Sequence, residues 1–429
     1  MDIFSSKKSY IGIDLGTSAI KMVELQKKNN RAVLLTYGYV EQSTDIIRAS
    51  SEEMETKIVD VIRDTYSKSR MSSRRVIAAL PSFSVFNSII TLPAMNKKDL
   101  AQAIKWEAKK FIPLPIDEMT LDWKIIPEKV EPKKHPGKKK ATEGKKDELE
   151  KNGDLTPAAP ASNQKNGGKA DKKQLEPGVT EEGKEDPEKK EKFSISELFK
   201  KGGKLGKGGK KDQKKAGKNT KILLTAAPKN LVERYIRIFK AADLELLSLE
   251  TEAFALERSL LGGDPSSVMV IDIGAVSSDV TVIDNGIPIL TRSIDVGGSA
   301  ITKAVMTSLN VDISRAEQFK RDIGFSATGP GDLPEIIKAT LNPIVNEVKY
   351  SLDIYLSQAG GNKSLEKIIL TGGSAYLPEL VNYLSKLLDI KVIIGDPWDR
   401  VVYPLELKPV LQELGPRFSV AVGLAMREI

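Results

Sequence analysis

The stretch VMVIDIGAVSSDVTVIDNG, residues 268–286, decides the fold of this 429-residue chain. It predicts an apolar strand, a turn around Gly274 with two serines beside it, and then a second, alternating strand. Asp272 comes near the end of the first strand. The second strand distinguishes the pattern from dinucleotide-binding folds and P-loops, in which a helix follows the glycines. The segment is therefore typical of a β-hairpin with a polar, glycine-containing tip.

The same pattern occurs near the start of the chain, in YIGIDLGTSAIKMVEL, residues 10–25. Three pairs of matching positions are each separated by 258 residues: Asp14 and Asp272, Gly16 and Gly274, and Lys21 and Asp279. A single hairpin of this kind is compatible with an ordinary β-turn. Two copies in one register predict two similar lobes that face each other.

The residue types at the two hairpin tips favour binding of a phosphate group. Glycine lets backbone N–H groups approach a phosphate oxygen with no Cβ in the way. The tips add hydroxyl groups, and each hairpin has one aspartate that suits a hydrated Mg²⁺ ion. The hydroxyls are those of Thr17, Ser18, Ser277 and Ser278, and the expected magnesium residues, acting through water, are Asp14 and Asp272.

Composition excludes several other kinds of chemistry. The chain has no Cys, which rules out disulfides, thiolate zinc sites and cysteine nucleophiles. Its single histidine, His135, lies in a Lys- and Pro-rich run, so Ser-His-Asp catalysis is also excluded. The first residues lack the apolar core of a signal peptide, and no run approaches the roughly 18–20 apolar residues of a membrane span. We therefore expect a cytoplasmic location.

The formal net charge of +8 belongs to one segment. Residues 128–220 carry 26 Lys and 17 acidic residues, a net charge of +9, so the rest of the chain has a net charge of −1. Residues 129–220 contain too little apolar surface to offset the entropy of ordering, and we predict a disordered insertion. It contains the short amphipathic pattern SISELFKK, and residues 200–218 hold nine Lys and one acid, Asp212.

We expect the insertion to serve as a solvated linker, with contact to an anionic membrane through residues 193–218 as the alternative. Nucleic-acid binding is disfavoured because no aromatic residues alternate with the lysines. Three aromatic residues at the edges of predicted elements, Trp106, Phe111 and Trp123, are expected in the core rather than in a partner groove.

Further motifs resemble the actin-like ATPase superfamily, whose phosphate loops are similar to the two hairpins. LTGGS at residues 370–374 resembles its adenosine motif, and AEQFK at residues 316–320 resembles the element that meets the ribose. The resemblance implies a two-lobed α/β fold that binds ATP with Mg²⁺. It assigns these further nucleotide-binding residues: Lys21, Gly297, Gly298, Glu317, Lys320, Gly372, Gly373 and Ser374.

Longer strings closely resemble the PilM family, cytoplasmic actin-like proteins of type IV pilus assembly. The most specific are KWEAKKFIPLP, residues 105–115, and GDPWDRV, residues 395–401. The resemblance implies an adaptor at the inner face of the cytoplasmic membrane. Such a protein binds the cytoplasmic N-terminal segment of a PilN-like membrane protein in a groove and couples it to the pilus motor or platform machinery. A homo-oligomer is a further expected assembly.

The resemblance also implies a division of the chain with an extra subdomain like that of FtsA. The expected ranges are 10–92 for the first part of lobe 1, 93–128 and 221–245 for the extra subdomain, 129–220 for the insertion, 246–265 for the return to lobe 1, 266–415 for lobe 2, and 416–429 for a final helix returning towards lobe 1.

The activity and the partner class leave alternatives. Glu252, between the lobes, is the candidate for orienting water in ATP hydrolysis, although an acid at a helix N-terminus is also stabilised by the helix dipole. We expect at most slow hydrolysis. An FtsA-like division filament is the second hypothesis, weakened because such chains normally add a C-terminal amphipathic helix. A small-molecule kinase of the same superfamily is the third.

Overall fold

The computed structural model describes residues 8–42, 51–112, 114–126, 219–326, 333–358 and 364–429. The predicted insertion, including SISELFKK, lies outside these residues. The strands are β1 Ser9–Leu15, β2 Ala19–Lys28, β3 Arg31–Glu41, β4 Arg75–Leu80, β5 Phe86–Pro93, β6 Met119–Ile126, β7 Asn219–Pro228, β8 Glu245–Thr251, β9 Val268–Ile273, β10 Ser278–Asp284, β11 Ile287–Ile294, β12 Lys367–Thr371, β13 Val392–Ile394 and β14 Val401–Val402.

Capping side chains or prolines stabilise the first turns of several described α-helices. Asn96 and Asp312, for example, accept hydrogen bonds from backbone N–H groups in the first turns of α2 and α6. The helices are α1 Glu52–Lys68, α2 Lys97–Ala108, α3 Lys229–Ala241, α4 Glu252–Leu256, α5 Gly298–Leu309, α6 Ile313–Ile323, α7 Leu333–Gln358, α8 Leu380–Leu388 and α9 Lys408–Ala425.

Two sheets with the same topology form the body of the molecule. The first has the order β14-β3-β2-β1-β4-β8 and the second the order β11-β10-β9-β12-β13. In each sheet an antiparallel three-stranded meander is followed by two parallel strands. Both predicted hairpins are present, as β1–β2 and β9–β10. The repeat inferred from the 258-residue spacing is thus a repeat of whole sheets, which we call the first and second lobes together with their helices.

A third sheet, β5-β7-β6, forms the extra subdomain together with α2. The predicted insertion joins β6 to β7, two adjacent antiparallel strands, as the sequence indicated. The subdomain begins earlier than expected, because β5 pairs with β7 from Phe86 onwards. Helix α3, expected in this subdomain, instead packs its apolar face into the core of the first lobe.

The chain also returns to the first lobe earlier than residue 416. Strand β14 pairs with β3 of the first sheet, and α9 begins at Lys408. This two-residue strand has no pattern of its own, so its partner could not be read from the sequence. The predicted second-lobe range of 266–415 therefore extends too far.

Helix α9 packs so closely on its neighbours that two glycines are required. A Cβ at Gly12 of β1 would lie 2.0 Å from the Ala421 carbonyl oxygen, and one at Gly423 would lie 1.9 Å from the Ala255 carbonyl oxygen. Val420 and Leu424 of the same helix join a core cluster with apolar residues from both sheets. The helix thus packs against β1, α4 and the second lobe, and so connects the two lobes.

The aromatic residues at element edges differ from expectation. Trp398 is buried and Trp123 is half-buried, but Trp106 is 72% exposed and Phe111 is 52% exposed. The core assignment for Trp106 and Phe111 is therefore wrong. Helix α2 buries Leu100, Ile104 and Ala108. Trp106 lies away from that face, and Phe111 comes after the helix ends at Ala108.

We predict that Gly12→Ala destabilises the protein by about 3 kcal/mol or more, because the new Cβ must displace the backbone of α9. Gly415→Ala in the same helix is the matched control, since its Cβ would meet Pro397 and Trp398 only at 3.5 Å. Denaturant unfolding measures both. Equal free energies of unfolding for Gly12→Ala and the wild type would show that α9 does not depend on this contact.

Candidate nucleotide-binding site

Both hairpin tips line one cleft of about 690 Å³. The candidate residues in its wall are Asp14, Gly16, Thr17, Ser18, Lys21, Glu252, Asp272, Gly274, Ser277, Gly298, Glu317, Lys320, Gly372, Gly373 and Ser374. Residues more than 250 positions apart in the sequence therefore meet at one site. The cleft has the size of a small-molecule site.

The two tips have matching backbone geometry. Gly16 N–H donates to the Ala19 carbonyl over 3.1 Å, and Gly274 N–H donates to the Ser277 carbonyl over 3.0 Å. A Cβ at Gly16 or Gly274 would lie 2.9 Å or 2.7 Å from those same carbonyl oxygens. The glycines are thus required by the turns themselves, and no side chain at these positions stands between the backbone and the cleft.

Two candidates support the second hairpin without lining the cleft. Ser278 is fully buried, and its hydroxyl donates to the Val296 carbonyl over 2.7 Å. Gly297 lies against the hairpin tip, where a Cβ would meet the carbonyl oxygens of Gly274 and Ala275 at 2.6 Å. The next two backbone N–H groups, at the start of α5, donate to these two carbonyls. The tip is therefore held by the N-terminus of a helix.

The charges of the two hairpins differ at one matching position. In the first, Lys21 Nζ lies 2.8 Å from Asp14 Oδ2. In the second, Asp279 stands opposite Asp272 across the strand pair, so two carboxylates face each other. Glu252, at the start of α4, is a fourth acid in the cleft wall. One lysine thus lies among four carboxylates.

This arrangement shifts several pKa values. Burial raises the pKa of Asp272 to about 7, with Asp279 adding to the shift and Lys21 opposing it. Burial raises the pKa of Asp279 to about 6, although hydrogen bonding opposes the shift. Burial lowers the pKa of Lys21, but Asp14, Asp272 and Glu252 outweigh it and leave this pKa above its ordinary value. The second hairpin therefore holds unfavourable negative charge that a bound cation would relieve.

The residues at the tips fit a hydrated divalent cation better than a fully coordinated one. Within the described ranges, no group of three or more acidic or histidine side chains is arranged to hold a metal ion directly. Asp279 Oδ1 is buried and has no hydrogen-bond partner among the described residues. Mg²⁺ keeps most of its waters and uses few protein ligands, so carboxylates on opposite sides of a cleft are a suitable set.

The LTGGS motif packs directly against the second hairpin. Gly372 has φ +88°, and a Cβ there would lie 2.3 Å from Asp272 Oδ1. Its N–H donates to the Pro416 carbonyl of α9 over 3.0 Å. A glycine is therefore required both for the left-handed backbone and for the approach to the carboxylate.

The AEQFK motif supplies an ion pair at another part of the wall. Lys320 Nζ lies 2.6 Å from Glu317 Oε2 and 2.9 Å from Thr302 Oγ1. Thr302 also donates to Glu317 over 2.6 Å. Burial lowers the pKa of Lys320, and Glu317 opposes this shift without reversing it. The motif thus places a positioned carboxylate and ammonium beside the cleft.

Sequence reasoning missed several residues of the cleft. Arg417 of α9 lies near Gly373 and is 3.1 Å from Glu41 at the end of β3. The sequence indicates Asp279 only as the position that matches Lys21, and not as a residue of the cleft. Pro416, the residue before Arg417, is the one sequence feature that indicates an irregular turn in α9. It does not indicate that this turn lines a cleft. Other unpredicted residues in the wall are Thr302, Lys303, Ile313 and Arg321.

Glu252 is held at the edge of the cleft by Ser82. Its carboxylate accepts hydrogen bonds from the Ser82 backbone N–H, over 3.0 Å, and from the Ser82 hydroxyl. Burial raises the pKa of Glu252 well above its ordinary value, and Asp279 and Asp14 add to the shift. The surroundings of this carboxyl group therefore favour its protonated form more than water does.

A smaller cavity of about 230 Å³ lies in the extra subdomain. Its walls come from β5, from β7 and from the segment after α2, and they are mostly apolar: Phe86, Asn87, Ser88, Phe111, Ile112 and Leu224. Strand β5 is at one edge of its sheet. The cavity thus opens beside a strand edge.

Comparisons with known proteins agree with this architecture. The family model described as "Type IV pilus assembly protein PilM" matches residues 12–160 and 210–429. A solved "PilM-PilN type IV pilus biogenesis complex" is similar over 97% of this chain and 98% of that chain, with 23% identity and a TM-score of 0.68.

The curated relatives match a smaller part of this chain. Cell division protein FtsA of Neisseria meningitidis serogroup B (strain ATCC BAA-335 / MC58) is 25% identical over 236 residues, which are 48% of this chain and 54% of that protein. Cell shape-determining protein MreB of Pasteurella multocida (strain Pm70) is 27% identical over 180 residues, 34% of this chain and 51% of that protein. The chain thus spans about half the length of these two relatives.

The family match covers most of the chain, and the similar structure shares its fold over nearly its whole length. The chain therefore has the actin-like fold and belongs to the PilM family of type IV pilus assembly proteins.

Proposed function

We propose that the protein binds Mg·ATP in the cleft between its two hairpins and acts as an adaptor for a PilN-like membrane protein. The observation that carries the nucleotide part is the shared cleft, lined by both glycine tips and by the LTGGS and AEQFK motifs. Gly16, Gly274 and the hydroxyls of Thr17, Ser18 and Ser277 would receive the phosphates. Glu317 and Lys320 would meet the ribose.

Asp14 and Asp272 are the residues proposed to hold Mg²⁺ through water. Bound there, the ion supplies positive charge to the phosphates and to the acids of the second hairpin. Lys21, already paired with Asp14, lies where it can donate to a phosphate oxygen. No other carboxylate of the cleft is proposed to hold the magnesium ion.

We expect Asp14→Ala and Asp272→Ala each to abolish Mg·ATP binding in isothermal titration calorimetry, because each removes one side of the cation site. Asp353→Ala, an exposed acid on α7, is the control and should bind as the wild type does. Unchanged affinity in both cleft variants would contradict the nucleotide assignment.

Hydrolysis is proposed to be slow, so that ATP acts mainly as a structural ligand. Glu252 is the residue assigned to orient the attacking water, but burial and the neighbouring acids raise its pKa, so its carboxylate form is less favourable than that of an ordinary glutamate. A protonated carboxyl group cannot accept a proton from water. The bound nucleotide would then hold the lobes together for longer than a fast cycle would allow.

We predict that the slow turnover increases as pH rises, and does so above the pH range in which an ordinary glutamate titrates, because deprotonation of Glu252 creates the accepting carboxylate. Glu252→Gln should lose both the activity and its pH dependence while it still binds ATP. Phosphate release at saturating Mg·ATP measures this. Turnover of several per second at pH 7 that Glu252→Ala abolishes would show that ATP is consumed as fuel.

The adaptor part of the proposal concerns the edge of the extra subdomain. A short extended peptide can add to a free strand edge and place alternate side chains in apolar pockets. The cavity beside β5, with Phe111 in its wall, has these two features. We propose that the cytoplasmic N-terminal segment of a PilN-like protein binds there and that this link couples the membrane protein to the pilus motor or platform machinery.

This role would place the protein on the cytoplasmic side of the membrane as a peripheral component. No described helix is long and apolar enough to cross a bilayer. The expected contact of residues 193–218 with anionic lipid lies outside the described residues. We also propose that the protein associates with itself as a homo-oligomer.

We expect the full chain to capture synthetic N-terminal peptides of PilN-like proteins encoded nearby, and Phe111→Ala to weaken capture about tenfold through loss of an apolar contact. Trp106→Ala is the matched control, since Trp106 is also an exposed aromatic residue of this subdomain but does not line the cavity. Fluorescence anisotropy with labelled peptide measures the affinity. Equal affinity for scrambled peptides would contradict the adaptor role.

A further inference from the structure

Helix α2 presents an outward face that its own subdomain leaves uncovered. Its inner face, with Leu100, Ile104 and Ala108, is buried against the three-stranded sheet. The opposite face carries exposed side chains spaced three or four residues apart, so they lie in one stripe along the helix. They are Lys98, Gln102, Lys105, Trp106 and Lys109. We call this stripe the α2 outer face.

The exposure of Trp106 is the main observation. Its side chain is 72% exposed, although indole is among the largest apolar groups in proteins. The Lys109 ammonium lies 4.9 Å from the centre of the ring. An exposed indole surrounded by lysines is typical of a helix that lies on a membrane surface, with the ring at headgroup level and the charges towards anionic lipid.

The charge of the helix favours the same occupant. Residues 97–111 contain five Lys and two acids. Both acids already have partners, since Asp99 accepts from Asn96 and Glu107 pairs with Lys110 at 2.9 Å. A protein partner is less well matched, because lysine is depleted from the buried centres of protein interfaces.

The position of the helix in the chain adds a second argument. Asn219, the first residue of β7, pairs with Pro93, only four residues before α2 begins. The nine lysines of residues 200–218 therefore directly precede a strand end that lies beside the start of the helix. Along the sequence, positive charge is therefore concentrated immediately before the strand that ends beside α2.

We propose that the α2 outer face binds the surface of an anionic phospholipid membrane, with Trp106 inserted at headgroup level and Lys98, Lys105 and Lys109 facing lipid phosphates. This face is separate from the cavity at Phe111, so peptide and membrane can be bound together. The subdomain would then lie flat on the bilayer from which the membrane partner emerges.

Vesicle flotation of the full chain tests the proposal, with phosphatidylcholine vesicles that contain about one-third phosphatidylglycerol. We expect binding to these vesicles, little to pure phosphatidylcholine, and a decrease with added salt. Lys105→Gln/Lys109→Gln should weaken binding about tenfold or more. Trp106→Ala should also weaken it, whereas Tyr350→Ala, which removes an exposed aromatic residue of the second lobe, should not.

Tryptophan fluorescence gives an independent readout. The chain has three Trp, of which Trp398 is buried and Trp123 half-buried. The emission of Trp106 should shift to shorter wavelength on binding. Trp106→Phe should keep most of the binding and lose the shift.

Three results would overturn the proposal. The first is wild-type vesicle binding by both α2 variants while replacement of the lysines in residues 200–218 by glutamine abolishes it. The second is an unshifted Trp106 emission in vesicle-bound protein. The third is a concentration-dependent dimer, seen by sedimentation, that Trp106→Ala dissolves, since a second copy would then cover the face.

Discussion

Negative charge gathered between two lobes is the constraint on which this structure depends. Asp14, Asp272, Asp279 and Glu252 line one cleft with Lys21 among them. Burial raises the pKa of both Asp272 and Asp279, so their charged forms are less favourable here than in water. In the proposed complex with Mg·ATP, the cation and Lys21 would together balance the negative charge of these acids and of the phosphates.

The two lobes are copies in topology but not in chemistry. The matching positions Lys21 and Asp279 have opposite charges, so one hairpin contains an ion pair and the other a pair of acids. Helix α9 connects both halves, because it packs on β1 through Gly12 and its Pro416 carbonyl accepts from Gly372. Close backbone contacts with this one helix therefore connect the two halves that carry the hairpins.

The sequence predicted those parts of the site that have a local pattern. The hairpins were recognisable because strand alternation, glycine and aspartate occur in the same order twice, and the spacing related them. Arg417 was missed because it reaches the cleft only through the packing of α9. Trp106 was misplaced because the period of α2 shows which residues are buried and does not show what covers the other face. Phe111 was misplaced because α2 ends at Ala108, so the helical period does not reach it. The limit of the second lobe was misplaced because the chain returns to the first sheet at β14, a strand of only two residues.

A crystal structure of the full chain with Mg²⁺ and a non-hydrolysable ATP analogue tests the central claim most directly. The account predicts one triphosphate between the turns at Gly16 and Gly274, with a hydrated magnesium ion near Asp14 and Asp272. Density for the nucleotide at only one hairpin, or outside the shared cleft, would contradict it.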